Sequence, residues 1–224
     1  MDALIIGAGG HGKVVLDILR ASGVHRPIGF LDADPALNGT VINGLPVLGQ
    51  VNQLPRLKQK VRGAVVAIGE NRTRQHYADL LRQQGFELLS AIHPASTISK
   101  TAKLGDGIVI AAGAVVGTDT SIGDCVIVNT SAVIDHECVI ESVVHVCPAA
   151  AIAGRVHIGE LAFIGLGCRI IQCLTIGRQS IVGAGAVVIR DVPDGATVVG
   201  VPARIIKSAQ PDAPAGFRAD LCKM

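Results

Sequence analysis

From Ile92 through Ile134 and Ile164 to Val188, an aliphatic residue returns at every sixth position across seventeen consecutive hexapeptides. An unbroken run of that length has a chance probability of only about 10⁻⁷, so the period is structural. Six fits neither the 3.6-residue turn of an α-helix nor the two-residue alternation of an ordinary strand. The residue four places after each aliphatic is small or apolar throughout, as at Ala114, Ala132, Cys138, Ala150 and Cys168. Glycine often follows the aliphatic directly, at Gly105, Gly117, Gly123, Gly159, Gly165, Gly177 and Gly183. A large inward residue, a corner that glycine tolerates and a second small inward residue describe one side of a triangular coil. Three sides close a coil, and strands pair from coil to coil at the sheet spacing of about 4.8 Å, giving five to six coils and a prism about 27 Å tall.

Composition agrees with a narrow aliphatic core. The 224 residues include four Phe, one Tyr and no Trp, and the formal net charge is +2. Without a Lys/Arg run or aromatic platforms, the sequence lacks a nucleic-acid footprint. No segment resembles a secretory leader or an uninterrupted apolar span, so a cytoplasmic protein that does not engage membranes is expected. Cys125, Cys138, Cys147, Cys168, Cys173 and Cys222 show neither C-x-x-C pairs nor metal-ligand spacing, and read as structural thiols without a metal.

Ahead of the repeat lies a different pattern. Ala3 to Ile6 reads as a strand, Gly7-Ala8-Gly9-Gly10-His11-Gly12 as a turn, and Val14, Val15, Ile18 and Leu19 as the face of a helix. Further strands are predicted at Pro27–Leu31, Ala64–Ile68 and Phe86–Leu89, with a helix over Asn71–Gln84. The order β-α-β, then β-α-β, implies a small parallel sheet with helices against it. Gly7, Gly9 and Gly12 satisfy G-x-G-x-x-G, and Asp32 stands where a ribose ligand belongs in a dinucleotide fold. About ninety residues are too few for two mononucleotide halves, which argues against an NAD enzyme. Half such a unit can still hold one diphosphate at a helix N-terminus, although a turn that binds nothing fits the same residues. The predicted organisation is an α/β unit over 1–90, a β-helix over 91–207 and a tail over 208–224 with no assigned role.

Six-residue phase places His136 outside the prism with Glu137 next to it; His145 and His157 also face out. Histidine is the natural base near neutrality. Adjacent strand residues point to opposite faces, so contact between His136 and Glu137 requires a local corner.

The segment Asn129-Thr130-Ser131-Ala132-Val133-Ile134-Asp135-His136-Glu137-Cys138-Val139-Ile140, with His145 following, resembles the active-site coil of the sialic-acid O-acetyltransferase and nucleotide-amino-sugar N-acetyltransferase family. Ile5-Ile6-Gly7-Ala8-Gly9-Gly10-His11-Gly12 resembles that family's opening loop, and Gly200-Val201-Pro202-Ala203-Arg204 its signature after the last coil. The resemblance implies a left-handed parallel β-helix, a homotrimer with active sites between prisms, and acetyl-CoA as donor. The implied acceptor is the 4-amino group of a UDP-, GDP- or dTDP-linked sugar. It also implies His136 as general base with Glu137 raising its basicity, His145, Leu166 and Ala184 at the CoA site, and Gly9, Gly10, His11 and Asp32 at the nucleotide sugar. Where the family can carry a second acidic residue after that Asp, this chain has Ala33 and then Asp34. Asn71 and Arg72 are further candidates to reach the same ligand. On this reading the sugar lies across the domain junction with its amine near His136. A sugar O-acetyltransferase and a non-catalytic nucleotide-binding trimer remain alternatives.

Overall fold

In a computed structural model that describes residues 1–208, β1 (Asp2–Ile6) is buried from Ala3 to Ile6 and turns at Gly7 into α1 (Gly10–Ser22). Val15, Leu16, Ile18 and Leu19 form the helix's buried face. β2 (Arg26–Leu31), β3 (Gly63–Val66), α2 (Asn71–Gln83) and β4 (Glu87–Leu88) follow. The four strands lie parallel in the order β2-β1-β3-β4, as the β-α-β pattern requires. Between β2 and β3 the sequence reading missed a hairpin, Val41–Ile42 with Leu45–Pro46, and the short helical turns Val51–Gln53 and Leu54–Leu57. These pieces are too short for a period to register.

The prism consists of seventeen two-residue strands, one per hexapeptide, from Ala91–Ile92 to Val187–Val188. Each pairs in parallel with the strand eighteen residues away: Val109 sits opposite Ala91 on one side and Ile127 on the other. The ladder is regular, with Ala91 N–H donating to Ile108 O at 2.9 Å and Thr97 N–H to Ala114 O at 2.8 Å. Three faces result. The first carries Ala91, Val109, Ile127, His145 and Phe163; the second Val115, Val133, Ala151 and Arg169; the third Ser121, Val139, His157 and Thr175. Ile134, Cys138, Ala150, Ile164 and Cys168 are sealed in the core. Leu104, on the first coil, is exposed because no coil lies beneath it.

The corners differ from expectation. Left-handed backbone falls three residues after the inward aliphatic, at Asp119, Cys125, Ser131, Glu137, Val143 and their successors, with φ of 54–62° from Asp119 to Gln179 among non-glycine residues. The glycines directly after the aliphatics lie outside that region and are required for a different reason. A Cβ on Gly117 would stand 2.7 Å from the Asp135 carbonyl carbon, and one on Gly159 would stand 2.5 Å from the Arg178 nitrogen. They admit the neighbouring coil's backbone.

The N-terminal sheet rests on the first face and the corner preceding it. Ala91, Val109 and Ile127 share a core with Ile5, Val15, Leu16 and Leu19, while Cys125, Val143 and Leu161 pack with Leu4, Ile6, Ala78 and Leu81. Among the described residues no helix is long and apolar enough to cross a membrane. Of the tail over 208–224, all but Ser208 lies outside the described residues.

Replacing Gly117 by Ala should lower unfolding free energy by about 1–3 kcal/mol through overpacking between coils. Denaturant titration measures this, and an unchanged midpoint would contradict the close-approach account.

Candidate active site

His136 and Glu137 occupy the vertex between the second and third faces. The left-handed turn at Glu137, φ 57°, swings its carboxylate back, and Oε2 lies 2.9 Å from His136 Nδ1. This corner supplies the contact that strand alternation forbids. Hydrogen bonds from His136 first and Arg155 second hold the Glu137 carboxyl below the usual carboxylate range, so it remains an anion and an acceptor. A carboxylate only accepts, so Nδ1 is the nitrogen that donates to it, and Nε2 is turned away from the pair. Asp135 Oδ1 accepts the His136 backbone N–H at 2.7 Å. One coil on, Gly154 leaves room for the ring: a Cβ there would stand 2.5 Å from Nε2. The imidazole is half exposed.

A cavity of about 320 Å³ lies at the C-terminal edge of the N-terminal sheet, lined by Gly9, Gly10, His11, Asp32, Gly69 and Tyr77 among others. The glycine motif divides by role. Gly7, at φ 104°, and Gly12 are packed against backbone, whereas a Cβ on Gly9 or Gly10 would meet nothing within 4 Å. α1 starts there without a side-chain cap, leaving its first N–H groups available to an anion. His11 Nε2 is buried and has no partner. Asp32 also pins the loop, its two oxygens accepting from Ala8 N at 2.6 Å and Asp34 N at 2.9 Å. Asp34 turns away to cap the next helical turn through Ala36 N, 2.8 Å, so Ala33 alone follows Asp32 along the cavity wall.

His145 faces out of the prism, yet the N-terminal sheet covers it and it is 8 % exposed. Its Nδ1 lies 3.0 Å from Gly69 O and its Nε2 3.3 Å from Asn129 Nδ2. Because a carbonyl only accepts, Nδ1 is the protonated nitrogen. Its ring centroid stands 6.4 Å from that of His11, which lines the cavity. Burial first, then the nearby Arg74 charge, push His145 down to about 3 and His11 down to about 4. Both rings are neutral.

Arg74 escaped the sequence reading. It is 1 % exposed and donates to Cys125 O at 2.8 Å, Val143 O at 2.9 Å, Gly69 O at 2.9 Å and Ile68 O at 3.0 Å. Burial lowers it only to about 10, so the guanidinium stays charged. Nothing local distinguishes it from the exposed arginines of α2. Asn71 and Arg72, expected to reach the ligand, bind the prism instead: Asn71 Nδ2 donates to Leu161 O at 2.8 Å and Arg72 to Gln179 Oε1 at 2.7 Å. His157 likewise is paired, its Nε2 2.8 Å from Glu141 Oε1.

Leu166 and Ala184 stack on consecutive coils at the vertex between the first and second faces, where Gly185 N donates to Leu166 O at 2.8 Å. Leu166 is 55 % exposed, and Cβ atoms on Gly167 and Gly185 would meet nothing within 4 Å. The strip is smooth and open. Cys125, Cys147 and Cys168 are buried and their thiols are pushed up to about 11, 12 and 12 by desolvation. Cys173 is exposed, and Cys222 lies outside the described residues.

The N-terminal sheet covers the first face, whereas His136 occupies the vertex between the second and third faces, on the far side of the prism.

Residues 2–81 match the family model described as the PglD N-terminal domain. The UDP-N-acetylbacillosamine N-acetyltransferase of Bacillus subtilis (strain 168) is 39 % identical over 114 residues, 50 % of this chain and 51 % of that protein. That match therefore spans about half the curated relative's length. The crystal structure of a histidine-to-alanine mutant of GDP-perosamine N-acetyltransferase from Caulobacter crescentus, in complex with CoA and GDP-perosamine, is 44 % identical. It superposes with a TM-score of 0.89 over 93 % of this chain and 98 % of that one. The acetyltransferase domain of PglB from Neisseria gonorrhoeae FA1090, in complex with acetyl coenzyme A, is 40 % identical with a TM-score of 0.86, covering 92 % and 98 %.

Two outcomes follow from the junction. An unfolded chain protonates His11 and His145 near 6.5, whereas the fold refuses those protons until about 4 and 3. Stability should hold above pH 6.5 and fall as pH drops towards 4; thermal melts should show a shallower fall for His145→Asn, and an identical pH dependence would contradict the assignment. Arg74→Met, which strands several buried carbonyls, should cost about 3 kcal/mol or more by chemical denaturation.

Proposed function

Because the chain belongs to the hexapeptide-repeat nucleotide-amino-sugar N-acetyltransferase family, we propose that it transfers acetyl from acetyl-CoA to the 4-amino group of a UDP-, GDP- or dTDP-linked amino sugar. The observation that carries this reading is the exposed His136–Glu137 pair, whose ionised carboxylate leaves Nε2 free to accept a proton. The uncapped start of α1 with Gly9, Gly10 and His11 suits a diphosphate, and Asp32 suits the nucleoside beside it. The exposed Leu166 and Ala184 strip suits the thin pantetheine arm of CoA, whereas His145, which the resemblance assigns to the CoA site, is buried beside Gly69 and His11.

The acceptor amine attacks the thioester carbonyl, forming C–N and breaking C–S. His136 Nε2 accepts the proton that the amine sheds, Glu137 stabilises the resulting imidazolium, and the sulfur leaves as CoA thiolate to be reprotonated. No acyl-enzyme is required.

On this reading a second copy of the chain, in a homotrimer, brings its cavity to His136, which lies on the vertex opposite the face that the N-terminal sheet covers. Val133, Val139, Ile171 and Ile189 around the His136 vertex are 38–45 % exposed, an apolar surface that a neighbouring prism would cover.

His136→Ala should lower turnover by about 10²–10⁴, read as CoA release with a panel of UDP-, GDP- and dTDP-linked 4-amino sugars. Unchanged turnover at subsaturating and saturating acceptor would remove His136 as base, and release with no member of the panel would remove the acceptor class.

A further inference from the structure

Glu137 Oε2 serves two donors at once. Arg155 Nε approaches it at 2.9 Å, the same separation as His136 Nδ1. Arg155 is the residue one coil on from Glu137, at the same left-handed corner position, φ 60° against 57°. Its backbone N–H donates to the carbonyl of His136 itself at 2.9 Å, so the solenoid ladder fixes where the arginine stands relative to the imidazole. The preceding Gly154 gives the ring its space. The charged groups at this corner are Asp135 beside His136, Glu137, Arg155 from the next coil and Asp119 from the preceding coil, at the same left-handed position.

We infer that Arg155 is a positioning residue for the proposed reaction, holding the Glu137 carboxylate in its bridging rotamer and offsetting that anion's pull on His136 so that the imidazole is deprotonated when the amine arrives. The inference rests on the reading of His136 as base. The physical need is plain: an unopposed carboxylate at hydrogen-bond distance favours the imidazolium, which cannot take a proton. A fixed guanidinium on the same oxygen weakens that preference without removing the hydrogen bond that sets the tautomer. Arginine suits the task because it never loses its charge.

Arg155 is largely exposed, so its replacement should leave the fold intact. Arg155→Gln, which removes the charge, should move the acid limb of kcat/KM, and the NMR titration midpoint of the His136 ring, to higher pH by about 0.5–1 unit, the size expected of one charge a few ångströms away near solvent. Glu137→Gln should move both the opposite way, and Arg155→Lys should restore most of the wild-type profile. A merely structural role would reduce kcat or thermal stability while leaving both midpoints in place, and that result would overturn the inference. The ring titration needs no turnover, so it fails independently of the proposed reaction; His136→Ala tests the base separately.

Discussion

The backbone ladder that ties each coil to the next, with every strand opposite its counterpart eighteen residues on, is the constraint on which the remaining geometry depends. It converts distance along the chain into position in space. Residues eighteen apart share a face or a vertex and stand one rung apart, which is how Glu137 meets Arg155 and how Leu166 stacks beneath Ala184. The inward aliphatics drive the assembly by leaving water, but the hydrogen bonds decide the register. Close approach at Gly117 and Gly159 shows how little room the register leaves.

A solenoid exposes all its faces, and this chain covers one of them with its own N-terminal sheet. Arg74 at the centre of that contact is charged and buried, yet its donors are met by carbonyls from both sides. A buried charge is tolerated when its hydrogen bonds are complete. Those carbonyls belong to the loop after β3 and to prism corners, so the arginine fixes the cavity's wall relative to the coils. The dryness of the junction first, and the arginine's field second, keep His11 and His145 neutral. Electrostatics at the junction and at the His136 vertex thus run on different terms: desolvation dominates the first, exposed charge pairs the second.

Much of this was legible in the residues. The hexapeptide period announced the coil, its inward set and the outward placement of His136, because a repeating local geometry prints itself on the sequence. The strand, glycine turn and helix at the start were legible for the same reason. The corner position was not: glycine suggested a backbone conformation, while the true left-handed residues are Glu137, Val143, Arg155 and others of no common chemistry. There the repeated ladder, not intrinsic preference, holds the backbone. Asn71 and Arg72 were expected at the ligand and bind prism groups instead, since the face that a helix turns to its neighbour depends on a distant element.

The sequence by itself determined the solenoid, its three-residue-type rhythm and which side chains leave the core, all of which follow from contacts repeated at short separation. Only the tertiary structure decided that His145 is buried and His136 exposed, although both point outwards, and that the cavity and His136 lie on opposite sides of one prism. Facing out is a property of the coil, whereas being covered depends on where a separate ninety-residue unit comes to rest, and no local pattern records that.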